Sequence, residues 1–157
     1  MKKYQNLDDV QNTKNFSDLR KWMKERRSKQ KDLSLSIERT EKTVEAELKN
    51  NRSDMSITWI GHSTFLIQLD GKNILTDPVW AERMGVQKRL TKPGLQIQDL
   101  PEIDFVLISH GHYDHLDFAS IKQLKGNPVY YVPEGLKPAF KRRGYNNQLY
   151  ADVSYRR

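Results

Sequence analysis

The chain has 157 residues, no cysteine and a formal net charge of +7. Its length is that of one ordinary domain with room for a hydrophobic core, and the absence of cysteine excludes disulfide bridges and thiolate metal ligands. The first residues carry charge without an apolar stretch, and no apolar run is long enough to span a bilayer. We therefore expect a cytoplasmic protein without a secretory signal.

The excess of basic residues raises the question of an anionic partner. There are 27 basic and 20 acidic residues, and the sequence pI is about 9.5. Acidic residues are interleaved with the basic ones, and no segment alternates basic residues with stacking aromatic residues. We therefore expect a solvated basic surface and no nucleic-acid partner.

A change of composition near Ser53 divides the chain into two regions. Residues 1–54 are polar and helix-prone, whereas residues 55–157 contain short strands with turn signals between them. The sequence therefore predicts a basic helical extension at 1–54, followed by an α/β domain at 55–157.

Apolar residues recur at helical spacing within the extension, and basic residues flank them. The apolar positions are Phe16, Leu19, Trp22 and Met23. This pattern predicts a basic amphipathic helix over residues 17–30. Its apolar stripe can pack on the domain, or the helix can lie on an anionic membrane as a peripheral contact. A second, mostly solvated helix is predicted from Glu38 to Leu48.

Alternating apolar residues predict an antiparallel sheet after the extension. A strand around Trp59 precedes a second strand over residues 65–69, and Asp70-Gly71 supplies a tight hairpin turn into a third strand over residues 73–76. Residues 105–108 are apolar on both faces, which predicts a central strand covered on both sides.

The segment directly after this strand contains three of the four histidines of the chain and reads His110-Gly111-His112-Tyr113-Asp114-His115. Histidines two apart lie on one side of an extended backbone, so His110 and His112 are predicted to bind one metal ion. Gly111 allows tight backbone dihedrals that other residues avoid. Asp114 and His115 follow where the chain turns, and are predicted to meet a second ion. Imidazole and carboxylate ligands suit zinc, with iron and manganese as alternatives.

A histidine-rich tract can also be a purification tag or a loose metal scavenger. The fixed order of ligands at the end of a buried strand favours a metal site instead. After this segment, Asp117 is predicted to cap a helix, residues 129–132 to form a strand, and residues 136–143 to form a short basic helix.

Three motifs in this order resemble those of the metallo-β-lactamase superfamily, most closely the branch of N-acyl-phosphatidylethanolamine-hydrolysing phospholipase D. The motifs are Thr58-Trp59-Ile60-Gly61-His62-Ser63-Thr64, Leu75-Thr76-Asp77-Pro78-Val79-Trp80 and Ser109-His110-Gly111-His112-Tyr113-Asp114-His115-Leu116-Asp117. The resemblance runs from about Met55 to about Tyr145. It implies the first half of a four-layer α/β/β/α sandwich.

The resemblance also implies a chemistry. Two zinc ions would activate a hydroxide that attacks phosphorus or a carbonyl carbon. His110, His112, Asp114 and His115 would be the ligands, and Asp114 would orient the attacking water. A phosphate-containing or lipid small molecule would be the substrate, as for a phosphodiesterase. Sugar-phosphate lactonases and RNA-cleaving hydrolases of the same fold are alternatives.

Three further residues are candidates near the site. Asp77 can accept a hydrogen bond from a ligating imidazole, or it can be a turn residue before Pro78. His62 is placed near the site by the resemblance, as a turn histidine and not as a ligand. Trp80 can line the substrate entrance or serve as a buried anchor. The basic loop 88–92 can meet a phosphate, although a solvated loop is the expectation.

The resemblance covers only the first half of the family domain. In the family, a bridging aspartate and two histidines come from the second half, whereas no histidine follows His115 and the only later aspartates are Asp117 and Asp152. Each predicted ion would then lack a ligand. We expect a truncated chain that binds metal weakly and is hydrolytically weak alone. It would be a non-catalytic remnant, or one piece of a split enzyme whose second chain supplies the missing half.

Overall fold

The computed structural model describes residues 15–30, 34, 42–84, 87–146 and 149–151. The chain divides into two compact units, Met1–Ser36 and Ile37–Arg157. The boundary predicted between residues 54 and 55 therefore falls inside the second unit. Within the described ranges, no helix combines the length and the apolar character needed to cross a bilayer.

In the first unit, helix α1 spans Phe16–Ser28. The Asn15 side chain accepts a hydrogen bond from the backbone N–H of Asp18, and the Asp18 carboxylate accepts one from the backbone N–H of Asn15, both at 3.0 Å. This reciprocal capping box satisfies backbone donors at the start of the helix. No residue of α1 is buried. The helix predicted over residues 17–30 is confirmed, with its ends shifted by one or two residues.

Helix α2 spans Lys42–Asn50 and belongs to the second unit. Most of its described side chains are exposed, as predicted, but Leu48 is buried in the core. The backbone carbonyl of Leu48 also accepts a hydrogen bond from Gln68 Nε2 at 2.8 Å. The helix is therefore fixed to the sheet by one apolar and one polar contact. Its predicted start at Glu38 lies outside the described residues.

The strands that follow among the described residues are β1 Ser56–Gly61, β2 Thr64–Leu69, β3 Lys72–Thr76, β4 Arg83–Met84, β5 Gln87–Lys88, β6 Phe105–Leu107, β7 Val129–Val132 and β8 Leu149–Ala151. Strands β4 and β5 pair with each other, and the others form one sheet in the order β1-β2-β3-β6-β7-β8. Strands β1 to β3 are antiparallel, whereas β3, β6, β7 and β8 are parallel. The predicted hairpin turn is confirmed, since Asp70 and Gly71 both have positive φ, at 49° and 71°.

One face of the sheet is covered by helices. Neighbouring residues Leu66, Leu75, Val106 and Tyr130 share this face through the strand register. The cover comes from α2, from a 3₁₀ turn at Ile97–Asp99, and from the short helices α3, Phe118–Ile121, and α4, Lys137–Lys141. The residues of this core are Leu48, Ile60, Leu66, Leu75, Leu95, Ile97, Leu100, Ile103, Val106, Ile108, Ile121, Tyr130, Val132 and Phe140.

The opposite face of the same strands is apolar and partly exposed. Trp59, Leu69 and Leu107 are 47%, 41% and 38% exposed. The sequence predicts that the strand at residues 105–108 is covered on both sides. This prediction is wrong for the second unit, because the helices of that unit pack on the face that carries Val106 and not on the face that carries Leu107. Strand β6 is central in the sheet, but among the described residues only one of its sides is fully buried, since Val106 is 0% and Leu107 38% exposed.

Three chain segments meet at one edge of the sheet. The parallel strands β3 and β6 end side by side, so Asp77 and His110 follow neighbouring strands. The ladder continues past the strand ends, since the Asp77 N–H donates to the Leu107 carbonyl at 2.9 Å. Strand β2 runs antiparallel to β3, so the turn that carries His62 reaches the same edge. Ligand sites typically lie at the carboxyl ends of parallel strands.

Candidate metal centre

The first two imidazoles of the histidine-rich segment face each other. His110 Nε2 lies 2.9 Å from His112 Nδ1, and the ring centroids are 4.6 Å apart. Two ligand atoms at 2.0–2.1 Å from a tetrahedral ion are separated by about 3.3 Å. The two nitrogens are therefore close to the separation that a shared cation requires. Asp114 completes the group, because ligand atoms of the three residues lie within 4.8 Å of one another.

Asp114 also belongs to a second group of candidate ligands, with His62 and His115. Its Oδ2 atom lies 3.4 Å from His62 Nε2 and 3.8 Å from His115 Nε2. The sequence interpretation did not include His62 among the ligands, but the structure places its Nε2 within this group. A carboxylate has two oxygens that accept from several directions, so Asp114 can serve both groups.

Asp77 lies behind His115 and fixes its orientation. Asp77 Oδ2 is 2.8 Å from His115 Nδ1, which leaves Nε2 of the same ring on the side of Asp114. The carboxylate is 5% exposed and accepts two further hydrogen bonds, from Ser109 N and Ser109 Oγ, each at 2.7 Å. Metal-bound histidines usually donate their other N–H to such an acceptor. The Asp77–His115 pair has this geometry.

Ser109 connects the two halves of the site, although sequence reasoning does not single it out. Its Oγ lies 2.7 Å from Asp77 Oδ2, 3.0 Å from His110 Nδ1 and 3.2 Å from His115 Nδ1. The hydroxyl therefore links the ring that faces His112 with the carboxylate that holds His115. The only sequence signal is its position before His110, and a serine at a strand end is too common to identify.

Two of the site residues have backbone in the left-handed region. The φ angles of His62 and Asp77 are 52° and 37°, and this conformation costs a non-glycine residue about 1–3 kcal/mol. Hydrogen bonds hold both carbonyls in place: Trp59 Nε1 donates to the His62 carbonyl at 2.9 Å, and Thr64 Oγ1 donates to the Asp77 carbonyl at 2.7 Å. The fold therefore imposes these backbone conformations at the site.

Gly111 lies in a close contact, and its backbone conformation does not require glycine. Its φ lies outside the left-handed region, so the expected unusual dihedrals are absent there. A Cβ at this position would lie 2.9 Å from Leu136 Cδ2. The chain turns immediately afterwards, where the N–H groups of His115 and Leu116 donate to the His112 carbonyl at 3.0 and 2.8 Å. The chain therefore packs against Leu136 at Gly111 and turns after His112, which places Asp114 and His115 at the site.

The electrostatic environment favours a neutral His110. Desolvation is the largest cause that lowers its pKa, and the imidazoles of His115 and His112 lower it further. The carboxylates of Asp77 and Asp114 act in the opposite direction, but the pKa of His110 remains below its ordinary value. A neutral imidazole is the form that binds a metal ion.

Trp80 makes its contacts in the core. Its backbone N–H donates to Ser120 Oγ at 2.8 Å, and its indole Nε1 donates to the Leu95 carbonyl at 2.9 Å. The ring packs against the hydrophobic core. Of the two roles considered for Trp80, these contacts are those of a buried anchor.

Arg89 is the residue of the basic loop that points into the fold. Its Nη2 donates to the Val79 carbonyl at 2.7 Å, and its Nε donates to the Ala81 carbonyl at 3.2 Å. Burial lowers the pKa of its guanidinium. Arg89 therefore fixes the segment after Asp77, whereas Lys88 and Lys92 of the same loop are exposed.

The donors present fit metal ions by their chemistry. Each group contains three residues, with Asp114 common to both, and three protein ligands are the number that a catalytic zinc normally has. The sequence interpretation leaves each ion one ligand short, and the structure places a third candidate donor in each group, Asp114 in the first and His62 in the second. Imidazole and carboxylate donors suit zinc, iron and manganese alike.

A comparison with protein families identifies the superfamily to which the chain belongs. The model of the beta-lactamase superfamily domain matches residues 72–156, more than half of the chain. The chain belongs to the beta-lactamase superfamily. The matched residues contain Asp77 and the whole segment from His110 to His115, whereas His62 precedes them. The family predicted from the sequence motifs is confirmed.

Two similar superfamily proteins carry the name of a phospholipase. The chain is 39% identical over 109 residues to N-acyl-phosphatidylethanolamine-hydrolyzing phospholipase D 1 of Caenorhabditis elegans, covering 64% of this chain and 31% of that protein. It is 33% identical over 113 residues to the mitochondrial N-acyl-phosphatidylethanolamine-hydrolyzing phospholipase D of Saccharomyces cerevisiae, covering 68% and 24%. The chain thus spans less than a third of the length of these relatives.

A solved structure shares the fold. CmlA, a diiron beta-hydroxylase from Streptomyces venezuelae, matches with a TM-score of 0.50 and 24% identity, covering 66% of this chain and 22% of that one. At this level of identity the likeness shows the superfamily fold alone. The α/β fold class predicted from the sequence is confirmed.

Proposed function

We propose that this chain carries the ligands of a two-metal centre of a hydrolase that acts on phosphodiesters. The observation on which the proposal depends is the position of Asp114 between two groups of imidazoles. The names of the relatives in Caenorhabditis elegans and Saccharomyces cerevisiae support a lipid phosphodiester as the substrate. Because the chain spans less than a third of those relatives, the complete activity is proposed for the whole protein.

The proposed ligand sets follow from the two groups. His110 and His112 hold one ion, His62 and His115 hold the other, and Asp114 contacts both. Zinc is the proposed metal, with iron and manganese as alternatives. The chemistry that such ions supply when bound is polarisation of a phosphoryl or carbonyl oxygen and a lowered pKa of water.

The other residues of the centre keep these ligands in the required state. Asp77 would accept a hydrogen bond from the Nδ1–H of His115, so the lone pair of Nε2 would remain available for coordination. Ser109 keeps the His110 ring turned so that its Nε2 faces His112. Asp114 orients the attacking water by accepting a hydrogen bond from it. These are positioning roles, and they depend on a site assembled before substrate binds.

Metal analysis tests the ligand sets. We expect the purified chain to take up about two equivalents of zinc when the ion is supplied in excess, fewer in His62→Ala, and the largest loss in Asp114→Ala because both groups lose a donor. Tyr113→Ala is the matched control, since its exposed side chain lies in the same loop. Two retained equivalents in Asp114→Ala, or none in the unsubstituted chain, would exclude the proposed centre.

Substrate assays test the reaction. Bis-p-nitrophenyl phosphate, a lactone and RNA are compared with the zinc-loaded chain and with its Asp114→Ala variant. Diester hydrolysis that depends on Asp114 supports the proposal. Turnover of only the lactone or only RNA favours the alternatives of the same fold. Zinc binding without turnover of any of the three is the result expected of a non-catalytic remnant or of one piece of a split enzyme.

A further inference from the structure

We propose that helix α1 is a docking surface for an anionic lipid bilayer. The helix lies outside the residues that match the superfamily. The proposal therefore does not depend on the metal centre or on its reaction.

The apolar residues of α1 form one continuous stripe. At 100° per residue, Phe16, Leu19, Trp22 and Met23 fall within an arc of about 120°. Their side chains are 72%, 45%, 50% and 44% exposed. An amphipathic helix with such a stripe can bury it at the boundary between headgroups and acyl chains, where tryptophan is favoured.

The charge of the helix is complementary to an anionic surface. Residues 16–30 contain six basic and two acidic residues, so their net charge is +4. Two guanidinium groups contact the stripe residues. Arg20, at the border of the stripe, lies 5.6 Å from the centroid of the Phe16 ring, and Arg26, which follows the stripe within the same arc, lies 4.9 Å from that of the Trp22 ring. With the stripe inserted, these groups would lie at the level of the lipid phosphates.

The same charge argues against a second copy of the chain as the occupant. Pairing two copies through α1 would bring together two surfaces of charge +4, and like-charge contact opposes association. Against an anionic bilayer, by contrast, each basic residue near the surface increases binding by about fivefold. Of these two occupants, the bilayer is therefore the one that matches both the stripe and its flanks. Packing of the stripe on the second unit is the remaining alternative, and absence of vesicle binding would indicate it and overturn the proposal.

Vesicle sedimentation with the full chain tests this proposal. We expect the chain to pellet with vesicles of phosphatidylcholine and phosphatidylserine, not with phosphatidylcholine alone, and to be released by high salt. Replacing Arg20 and Arg27 by alanine should weaken binding about tenfold or more. Lys122→Ala with Lys141→Ala, two exposed lysines of the second unit, is the matched control.

A second pair of variants tests the stripe. Leu19→Ala with Trp22→Ala should abolish most of the binding, whereas Leu90→Ala, at a residue 76% exposed, should not. Alanine favours helix, so circular dichroism should show that α1 is retained. Equal binding to both kinds of vesicle, or equal loss in the control variants, would overturn the proposal. Pelleting in the absence of vesicles that is lost in the Leu19→Ala, Trp22→Ala variant would show that α1 binds a second copy of the chain. That result would overturn the proposal as well.

Discussion

At the scale of single residues, Asp77 links the sheet to the metal centre. Its backbone N–H extends the ladder between β3 and β6, while its carboxylate holds His115 and Ser109. The positive φ of 37° turns the chain at the end of β3. One residue therefore couples the pairing of β3 with β6 to the orientation of a candidate ligand, His115.

Asp77→Asn should weaken zinc binding by about 10–100-fold, because an amide no longer supplies the negative charge that orients and polarises the His115 ring. The affinity can be measured by competition with a chromophoric chelator. Asp70→Asn is the matched control, since Asp70 also has a positive φ but lies in an exposed turn. An unchanged affinity in Asp77→Asn would show that the carboxylate does not support a ligand.

The carboxylate of Asp104 should make the free energy of unfolding depend on pH. Desolvation raises the pKa of Asp104, but the backbone N–H of Asn73 and the charges of Lys72 and Arg52 outweigh it, so the pKa lies below its ordinary value. The carboxylate therefore stabilises the fold above about pH 4, and this contribution is lost as the pH falls through the lowered pKa. The N–H bond from Asn73, at 2.8 Å, matters most, because Arg52 is half exposed.

Asp104→Asn should accordingly lower the free energy of unfolding by about 1 kcal/mol near neutral pH. The difference from the unsubstituted chain should shrink as the pH decreases toward about 3. Urea unfolding at a series of pH values measures it. A difference that is constant with pH would indicate a contribution unrelated to the charge.

Sequence spacing predicts site residues within one segment and fails between segments. His110, His112, Asp114 and His115 are close in the chain, so their order alone indicates a shared role. His62 is distant from them in sequence. It lies near Asp114 because β1, β2, β3 and β6 are neighbours in the sheet, so the turn between β1 and β2 reaches the segment that follows β6. Ser109 likewise acquires its contacts from the position of Asp77.

At the scale of elements, a buried polar network joins α2 to the sheet. Gln68 Nε2 donates to the Leu48 carbonyl at 2.8 Å and to Asn73 Oδ1 at 2.9 Å. Asn73 Nδ2 donates to the Glu102 carbonyl at 2.8 Å. Both amides are buried, so each unmade hydrogen bond would carry a desolvation cost.

Asn73→Ala should lower the free energy of unfolding by about 2–3 kcal/mol, since it leaves the Glu102 carbonyl and one contact of Gln68 without a partner. Ser56→Ala is the milder comparison. It removes one hydroxyl that donates to Gln68 Oε1 at 3.0 Å in a partly buried position, and should cost about 1 kcal/mol or less. Equal losses in the two variants would contradict a central role for Asn73.

Strands with a clear alternation or a defined turn were predictable, and short ones were not. The Asp70-Gly71 turn fixes the pairing of β2 with β3. The alternation of Phe65, Ile67 and Leu69 along β2 indicates a strand but favours the wrong face, because Leu66 and Gln68 are the buried residues. Strands β4 and β5 have two residues each and β8 has three, which is too short for any periodicity. Their pairing depends on tertiary contacts alone.

At the scale of the whole molecule, the second unit is a sheet with one covered face. The apolar character of both faces is evident from the sequence, but which face the helices cover is decided by where the chain crosses the sheet. In β2, Leu66 is fully buried, whereas Leu69, which faces the other way, is 41% exposed.

Leu66→Ala should therefore lower the free energy of unfolding by about 2–5 kcal/mol, as expected for a cavity in a packed core. Leu69→Ala should cost less than about 1 kcal/mol, because the removed atoms are already half in water. The same strand thus supplies both the test and its control in urea unfolding. Similar losses at the two positions would mean that both faces are covered.

The position of Asp114 in two ligand groups has a thermodynamic consequence for metal uptake. In the proposed two-metal centre, the first ion to bind would restrict this carboxylate to one orientation and use part of the negative charge that the second ion also needs. Two neighbouring cations would also repel each other. Binding at one group would therefore change the affinity of the other, and linkage would make the effect reciprocal.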